Sequence, residues 1–272
     1  MNKIAANIVK GFLGRVKKRE KNKDQSSLKW VQQKIIKHQD DEKIKFVRLD
    51  QYIIYYQRPY ELLHTYRDLF ERELYAFKTT SKSPVIIDCG SNIGLSILVF
   101  KKYFPASTVI AFEPDENNYA LLQKNMEANK LQNVEVNKSA VWITNGTITF
   151  NSKGSEGSHI SESDGGIRVP CIKLASLLQQ YETIHFLKMD IEGAEYEVIK
   201  DCQLQLSKVE NLFLEYHGKA SETEKLEQIF TILKNAGFSV YIKNAADNLA
   251  YPFRQKTTGE VYDVQLNLFC YR

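Results

Sequence analysis

A glycine-rich turn and a distant carboxylate form the most chemically informative pattern in this sequence. Residues 85–94 read VIIDCGSNIG, and Glu113 ends a second apolar run nineteen positions after the last glycine of that turn. The run that ends in Asp88 predicts a buried parallel strand, and the glycines after it let backbone amides approach a ligand closely. A carboxylate at the end of the next strand can accept both hydroxyls of a ribose. The pattern therefore predicts a nucleoside-type cofactor at the carboxyl edge of a doubly wound sheet.

The residues of the turn distinguish between two kinds of cofactor. A dinucleotide fingerprint reads G-x-G-x-x-G and cradles a pyrophosphate. This turn instead reads D-x-G-x-N-x-G, with fixed positions at Asp88, Gly90, Asn92 and Gly94. An acid repels a pyrophosphate but suits the ammonium group of S-adenosylmethionine, which carries a ribose and no phosphate, so the residues favour this methyl donor. A simpler alternative to cofactor binding is that Asp88 only caps the following helix, but that role does not account for Glu113 at the right distance.

Composition predicts one domain with an extension. The chain has 272 residues, of which 43% are hydrophobic, enough for a sizeable core. Its four cysteines show neither C-x-x-C nor metal-ligand spacing, so we expect buried free thiols in a reducing cytoplasm.

Charge is distributed unevenly along the chain. Residues 1–45 hold thirteen Lys and Arg against five Asp and Glu, which gives +8, so the rest of the +4 chain sums to −4. An acidic main domain argues against a large nucleic-acid footprint, and we expect no nucleic-acid partner.

The basic excess belongs to an N-terminal arm, residues 1–27. Apolar residues recur there at helical spacing, beginning with Ile4 and Ile8, among many Lys and Arg. Such a helix can lie on an anionic bilayer, or it can be a solvated or partner-packing helix. It does not resemble a signal peptide, because Lys10 interrupts the apolar stretch, and no stretch reaches the length of a membrane span. We expect a cytoplasmic protein, with peripheral contact at the inner membrane face through residues 1–23 as a hypothesis.

Residues 28–83 form an N-terminal extension. IKFVRLDQYIIYYQ at 44–57 predicts a hairpin around Asp50, and Pro59 begins a helix that we expect to reach about Phe77. We expect this extension to act as a lid or a dimer element, and the oligomeric state stays open.

Strands and helices alternate regularly over residues 84–272. The alternation predicts an α/β fold: a Rossmann-like, mostly parallel seven-stranded sheet with helices on both faces and an antiparallel C-terminal strand. WITNGTITF predicts a hairpin that turns at Asn145 and Gly146. The polar residues 151–168, rich in Gly and Ser, predict a long flexible loop.

A second dense cluster of acids lies in the segment FLKMDIEGAEYEVIK. Asp190 ends the strand predicted there, Glu192 and Glu195 follow it, and the next strand tip provides Glu215 and His217. Because strand tips on this edge of an open sheet line the ligand crevice, we expect these groups beside the cofactor.

Four segments occur in order over residues 84–217: VIIDCGSNIG, AFEPDENNYALLQKN, KMDIEGAE and LEYH. In their order and spacing they resemble the FkbM family of S-adenosylmethionine-dependent methyltransferases. The resemblance implies a Rossmann-like methyltransferase fold and O-methylation, usually of a sugar or polyketide hydroxyl, so we expect a small-molecule or glycan acceptor. One departure is Leu174-Ala175, where the family commonly has Leu-Asp, and we expect it to affect local helix stability rather than chemistry.

The resemblance also implies roles in cofactor binding. Glu113 would bind the ribose, Ser139 and Ala140 would border the adenine, and Asp190 would close the far side of the pocket. The turn would cradle the methionine end through Asp88, Gly90, Ser91, Asn92 and Gly94.

Methyl transfer to an alcohol requires that the hydroxyl lose its proton. His217 is the first candidate for the base because its unperturbed pKa suits neutral pH, and Asp190 and Glu215 come next, as bases or as groups that orient the imidazole. His217 can instead bind a backbone carbonyl at a strand end. Glu192 is either a helix-start acid or a substrate contact, and His159 in the predicted loop is a further substrate candidate.

A divalent metal at Asp190 and Glu215 would also lower the pKa of a hydroxyl, but ordinary roles explain both acids, so we do not favour a metal. Lys188 is expected to point back toward the sheet surface.

Two other functions stay open: a nucleic-acid methyltransferase, which the acidic domain disfavours, and a non-catalytic S-adenosylmethionine-binding protein, which the intact glycine turn disfavours.

Overall fold

A computed structural model of the chain describes residues 28, 30–151, 159–160, 167–249, 251–254 and 261–272. The predicted basic arm lies outside these residues, so its membrane contact stays a prediction. None of the described helices is both long and apolar enough to cross a membrane.

The chain divides into two compact units between Leu74 and Tyr75. This division precedes the boundary expected at 83/84, because two aromatic residues from the end of the predicted helix pack inside the second unit. The ring centroid of Tyr75 lies 4.8 Å from that of Phe213, and that of Phe77 lies 4.8 Å from that of Phe186.

The first unit contains the predicted hairpin. Its elements are α1 (Trp30–Lys37), β1 (Lys45–Leu49), β2 (Tyr52–Tyr56), α2 (Pro59–Tyr66) and a π-helical turn (Arg67–Glu71). β1 pairs antiparallel with β2. Asp50, with φ 52°, supplies the left-handed turn residue in the absence of a glycine. Helical structure begins at Pro59 as predicted but stops well before Phe77, because Glu73 also has a left-handed backbone, with φ 54°.

The second unit contains the strands and helices of the predicted methyltransferase-type domain. Its strands are β3 (Val85–Cys89), β4 (Thr108–Phe112), β5 (Val134–Asn137), β6 (Ala140–Trp142), β7 (Gly146–Asn151), β8 (His159–Ile160), β9 (Ile167–Lys173), β10 (Phe186–Met189), β11 (Asn211–Gly218), β12 (Ser239–Asn244) and β13 (Val264–Tyr271). Its helices are α3 (Leu95–Tyr103), α4 (Glu116–Ala128), α5 (Leu174–Gln179), α6 (Glu195–Asp201) and α7 (Thr223–Asn235), with a 3₁₀ turn at Gln205–Lys208.

Seven of these strands form one sheet in the order β12-β13-β11-β10-β3-β4-β5. β13 runs antiparallel to both β11 and β12, and the pairs from β11 through β10, β3 and β4 to β5 are parallel. This topology confirms the predicted mostly parallel sheet and its antiparallel C-terminal strand.

The central strands are apolar because both faces of the sheet are covered. Ile87, Leu187 and Leu214 are fully buried on neighbouring strands, and all four cysteines are free and buried, as predicted. Against this background, Asp88 in β3 and Lys188 in β10 are unusual, since they are charged yet also buried and lie directly opposite each other in the parallel register. Both residues lie one position before the carboxyl end of their strand.

A second sheet has the order β6-β9-β7-β8, so the predicted hairpin around Asn145 and Gly146 is wrong. β9 lies between the two strands that the sequence suggested as partners. The side-chain oxygen of Asn145 accepts a hydrogen bond from the Lys173 amide at 2.7 Å, which binds this segment to β9. The expected continuous loop over 151–168 is also interrupted, because β8 pairs with β7 and β9 begins at Ile167.

The departure from the family pattern at Ala175 lies in the first turn of α5. The N-cap of this helix is Lys173, which makes no side-chain capping bond. Ala175 is the second residue of α5 and not its N-cap, so the local stability effect expected there stays a prediction.

Candidate active site

The glycine turn after β3 has the tight backbone that its sequence predicts. Gly90 and Gly94 have φ of 84° and 86°, and Asn92 also adopts a left-handed backbone, with φ 48°. The amides of Gly90 and Ser91 donate to the Phe112 carbonyl at 3.0 and 2.9 Å, which fastens the turn to the tip of β4. α3 begins directly after Gly94. The turn is thus a fixed concave segment at the carboxyl edge of the sheet.

Side chains at the two glycines would meet neighbouring atoms, a fixed backbone oxygen at Gly90 and the end of a flexible side chain at Gly94. A Cβ on Gly90 would overlap the carbonyl oxygen of Asp190, and one on Gly94 would lie 2.8 Å from Cε of Met126. The glycines therefore serve close packing between the tips of β3 and β10, and between the turn and α4.

Asp88 lies beneath the turn, and the simple capping alternative is wrong. The N-cap of α3 is Gly94, without a side-chain capping bond. Oδ2 of Asp88 instead accepts a hydrogen bond from Oγ of Ser96 at 2.5 Å, and Ser91 Oγ donates to the Asp88 carbonyl. Asp88 and Ser91 are buried, so their side chains support the turn from within the protein and do not line its open side.

Lys188 was placed wrongly by the sequence argument. Its ammonium lies 3.2 Å from Asp190 Oδ2 and 3.6 Å from Asp88 Oδ1, and it donates to the carbonyl of Gly90 at 2.5 Å. Burial on its own would lower the pKa of Lys188, but the charge of Asp190, together with Tyr75 and Asp88, raises that pKa well above its usual value. Lys188 is therefore a buried cation that joins the tip of β10 to the glycine turn. A lysine inside an otherwise apolar buried strand was the signal for it.

Glu113 joins the turn to the end of β4. Oε2 accepts from the Asn92 amide at 2.8 Å and Oε1 accepts from the Asp115 amide at 2.9 Å. Burial raises the pKa of Glu113 to about 7, against the opposing effect of these two amides. Each oxygen keeps a further lone pair, so the ionised carboxylate can still accept two hydroxyl donors.

Ser139 and Ala140 lie where β5 passes into β6. Both are buried, and Asn137 just before them accepts the Glu113 amide at 3.1 Å through its carbonyl. The structure therefore brings this junction next to the predicted ribose-binding acid. His159 lies in the two-residue strand β8, and its side chain is outside the described part of the structure.

The loop after β10 carries the second cluster and is held in an unusual shape. Glu192 and Gly193 have φ of 56° and 93°. The hydroxyl of Tyr262 donates to the Glu192 carbonyl at 2.5 Å, and the Glu195 carboxylate accepts the amides of Ile191 and Gly193. Glu195 is fully buried and holds the backbone of this loop, so its role here is structural.

Glu195 also binds His217, a contact that the sequence argument missed. Nδ1 of His217 lies 3.1 Å from Glu195 Oε1, while Nε2 faces Glu192 Oε2 at 3.6 Å and Glu215 Oε1 at 3.7 Å. Burial would lower the pKa of His217, but Glu195 and the other acids raise it to about 10. The prediction of a base with an ordinary imidazole pKa is therefore wrong.

The carboxyl groups around His217 differ in access. Burial raises the pKa of Glu192 and of Glu215. Their side chains are 21% and 23% exposed and that of Asp190 is 26% exposed, whereas that of His217 is 3% exposed. An incoming substrate can therefore reach these three carboxyl groups more easily than the imidazole.

A glycine turn after the first strand of the domain, an acid after the second, and a final strand inserted antiparallel beside β11 define the Rossmann-like class of S-adenosylmethionine-dependent methyltransferases. The profile of the Methyltransferase FkbM domain matches residues 88–240, more than half of the chain. The chain belongs to this family, its cofactor is S-adenosylmethionine, and it is a methyltransferase.

Named relatives are distant. The chain is 25% identical over 215 residues to Methyltransferase sdnD of Sordaria araneosa, covering 64% of this chain and 81% of that one. It is 28% identical over 155 residues to 2-O-methyltransferase NoeI of Sinorhizobium fredii, and the match covers 49% of this chain and 63% of NoeI. Among solved structures, FkbM from Methylobacillus flagellatus KT is 18% identical with a TM-score of 0.47, and the match covers 75% of this chain and 47%, about half, of that one.

Proposed function

We propose that this chain methylates a hydroxyl of a sugar, a glycan or another hydroxylated metabolite. The observation that carries the proposal is the set of partly exposed carboxyl groups just after β10 and in β11, beside the glycine turn: Asp190, Glu192 and Glu215. A hydroxyl needs such groups because it must give up its proton to become a good nucleophile. The 2-O-methyltransferase NoeI, which is 28% identical over 155 residues, supports an oxygen acceptor.

The residues present fit S-adenosylmethionine. The open side of the turn at Gly90 and Asn92 would hold the methionine end, and Asp190 offers the exposed carboxylate there in place of the buried Asp88. Glu113 has lone pairs left for the ribose hydroxyls, and Ser139 and Ala140 would border the adenine. When bound, the cofactor supplies a methyl group already activated by its positive sulfur.

The chain itself then has to position the acceptor and remove its proton. We assign the proton to Glu215, because its carboxyl group is partly exposed in β11, just beyond the end of β10, and lies 3.7 Å from Nε2 of His217. His217 is enclosed and bound to Glu195, so it orients its carboxyl neighbours rather than contacting the acceptor. Correct alignment of the acceptor oxygen can lower the barrier by roughly 7–11 kcal/mol in the best-oriented systems.

The acceptor class is tested by incubating the protein with methyl-labelled S-adenosylmethionine and fractionated polysaccharides, lipids and small metabolites, followed by identification of the labelled product. We expect a methyl ether on a hydroxyl. Label confined to protein or nucleic acid would contradict the proposal. Calorimetric binding of the donor without labelling of any fraction would favour a non-catalytic binding protein.

The raised pKa of Glu113 gives a testable pH dependence. Burial raises this pKa from 4.5 to about 7, and only the ionised form offers both oxygens to ribose hydroxyls. Affinity for S-adenosylmethionine is therefore expected to rise with pH through about 7, and to be about tenfold lower one unit below that pKa. In the free protein the sign is opposite, since stability contributed by the protonated acid is present at low pH and is lost as the pH rises through about 7.

Calorimetric titrations of wild type and Glu113→Gln between pH 6 and 8 check this. Glu113→Gln is expected to bind S-adenosylmethionine more weakly and without the rise in affinity through pH 7. The titration of the ligand's own amine affects both proteins equally. Parallel pH profiles for the two proteins would show that Glu113 does not bind the ribose.

A further inference from the structure

We infer that Asp190, Glu192 and His217 form a binding site for a first-row divalent cation of the Mn²⁺ type. The inference deepens the proposed function, on which it depends only for what the cation would do. The cation would bind the acceptor hydroxyl, lower its pKa and leave Glu215 to take the proton. Binding of the cation itself requires neither cofactor nor acceptor.

The three residues already have the arrangement of a ligand set. Each offers one ligand atom, and these atoms all lie within 4.8 Å of one another. If each ligand atom lies about 2.1 Å from one cation, two ligand atoms are at most about 4.2 Å apart. Small side-chain rotations would therefore bring all three ligand atoms within reach of one cation. Nε2 of His217 and Oε2 of Glu192, at 3.6 Å, are already within that limit but too far apart for a good hydrogen bond.

His217 is oriented as a metal-binding histidine is. Its Nδ1 is bound to Glu195, a fully buried carboxylate that is itself held by two backbone amides. Donation from Nδ1 to a carboxylate directs the other nitrogen toward a cation and fixes the ring. Within the described residues Nε2 makes no hydrogen bond, although His217 is only 6% exposed. A side chain this deeply buried, whose Nε2 has only these two longer contacts to Glu192 and Glu215, is an independent sign of a ligand, and a cation bound at Nε2 would take the place of the proton there.

Glu192 points to the same place. Its Oε2 is a buried oxygen without a hydrogen-bond partner in the described structure. The backbone of Glu192 is left-handed, and the bond from the Tyr262 hydroxyl to its carbonyl helps to hold it so. The left-handed backbone and the buried oxygen without a hydrogen bond each cost free energy, and a cation at this oxygen would offset part of that cost.

The charge and chemistry of the cluster indicate which cation it takes. Four acids surround the imidazole of His217: Asp190, Glu192, Glu195 and Glu215. Lys188 pairs with one oxygen of Asp190. An imidazole with two carboxylates is a mixed nitrogen–oxygen set that suits Mn²⁺ or its neighbours better than Mg²⁺, which prefers oxygen and water. The sequence argument considered a metal only at Asp190 and Glu215 and did not favour it, because ordinary roles explain both acids. The structure places Glu192 and His217 beside Asp190 as further ligand groups.

The test uses the full-length, untagged protein after treatment with a chelator and dialysis, titrated with MnCl₂ alone. Electron paramagnetic resonance of free Mn²⁺ gives the stoichiometry, and pulsed spectra show whether a ¹⁴N nucleus is coupled to the bound ion. We expect one bound ion, with nitrogen coupling from His217. Glu192→Gln and His217→Gln are expected to raise the Kd for Mn²⁺ at least about tenfold, and the matched control Glu197→Gln, exposed on α6, to leave it unchanged.

Binding of S-adenosylmethionine by each variant is measured in parallel and is expected to be retained. Failure to bind Mn²⁺ at millimolar concentration, absence of nitrogen coupling, or an unchanged Kd in Glu192→Gln would each overturn the cation site while leaving donor binding intact. Loss of donor binding by the wild type would instead overturn the proposed function. If His217→Gln does not fold, nitrogen coupling in the wild type decides.

Discussion

Gly90→Ala is expected to reduce the affinity for S-adenosylmethionine more than about a hundredfold and to lower the free energy of unfolding by about 3 kcal/mol or more. Gly90 has φ 84°, where an alanine costs roughly 1–2 kcal/mol. The larger effect is the overlap of the new Cβ with the carbonyl oxygen of Asp190. This oxygen belongs to a backbone fixed by the hydrogen bond from the Asp190 amide to the Cys89 carbonyl at 3.2 Å. The tips of β3 and β10 would therefore have to separate.

Gly237→Ala is the matched control. Gly237 has nearly the same backbone, with φ 88°, but a Cβ there would meet no atom within 4 Å. Only the left-handed backbone cost of roughly 1–2 kcal/mol is expected, with unchanged cofactor affinity. Urea unfolding and calorimetric titration of both variants separate the two effects. Equal behaviour of the two variants would mean that the close contact at Gly90 has no importance for the site.

The second large effect is expected for Lys188→Met, which should lower the free energy of unfolding by about 3–5 kcal/mol. Lys188 is the buried cation between Asp88 and Asp190, and its removal leaves two carboxylates without their counter-charge. Because Lys188 also donates to the Gly90 carbonyl, the turn loses a support and cofactor affinity is expected to fall about tenfold or more. Lys234→Met, at an exposed lysine of α7, should change neither quantity.

A double-mutant cycle tests the stated cause of that loss. Asp88→Asn removes one of the two charges that Lys188 neutralises, so Lys188→Met should cost less in the Asp88→Asn background than in the wild type. The coupling is expected to be about 0.5–3 kcal/mol in the free energy of unfolding of the four proteins. Additive losses would show that Lys188 stabilises the fold through its packing and not through its charge.

Much of the fold was predictable because its signals are local. The apolar run before Asp88, the glycine turn and the acid at Glu113 each depend on a few neighbouring residues, and the structure has the parallel strands, the left-handed turn and the amide contact between turn and acid. The hairpin at Asn145 and Gly146 was mispredicted because the true pairing of its strands depends on a residue segment that is distant in sequence. A favourable turn sequence does not reveal that a strand more than twenty residues later will insert between its flanks.

The chemistry of the candidate site was predictable in its residue types but not in their roles. Asp190, Glu215 and His217 do come together, since the carboxyl ends of neighbouring parallel strands meet at one edge. The roles depend on burial. Asp88 is enclosed and supports the turn, and His217 is enclosed with acids that raise its pKa to about 10.

The sequence by itself determined the order of elements, the location of the ligand edge and the methyltransferase family, because periodicity, turn residues and motif spacing are properties of short segments. Only the tertiary structure decided that Lys188 turns toward two acids, that Glu195 holds His217, and that a buried oxygen of Glu192 faces the imidazole. These contacts join residues on different strands and loops. Desolvation and neighbouring charge, which set their protonation and direction, exist only once the chain is packed.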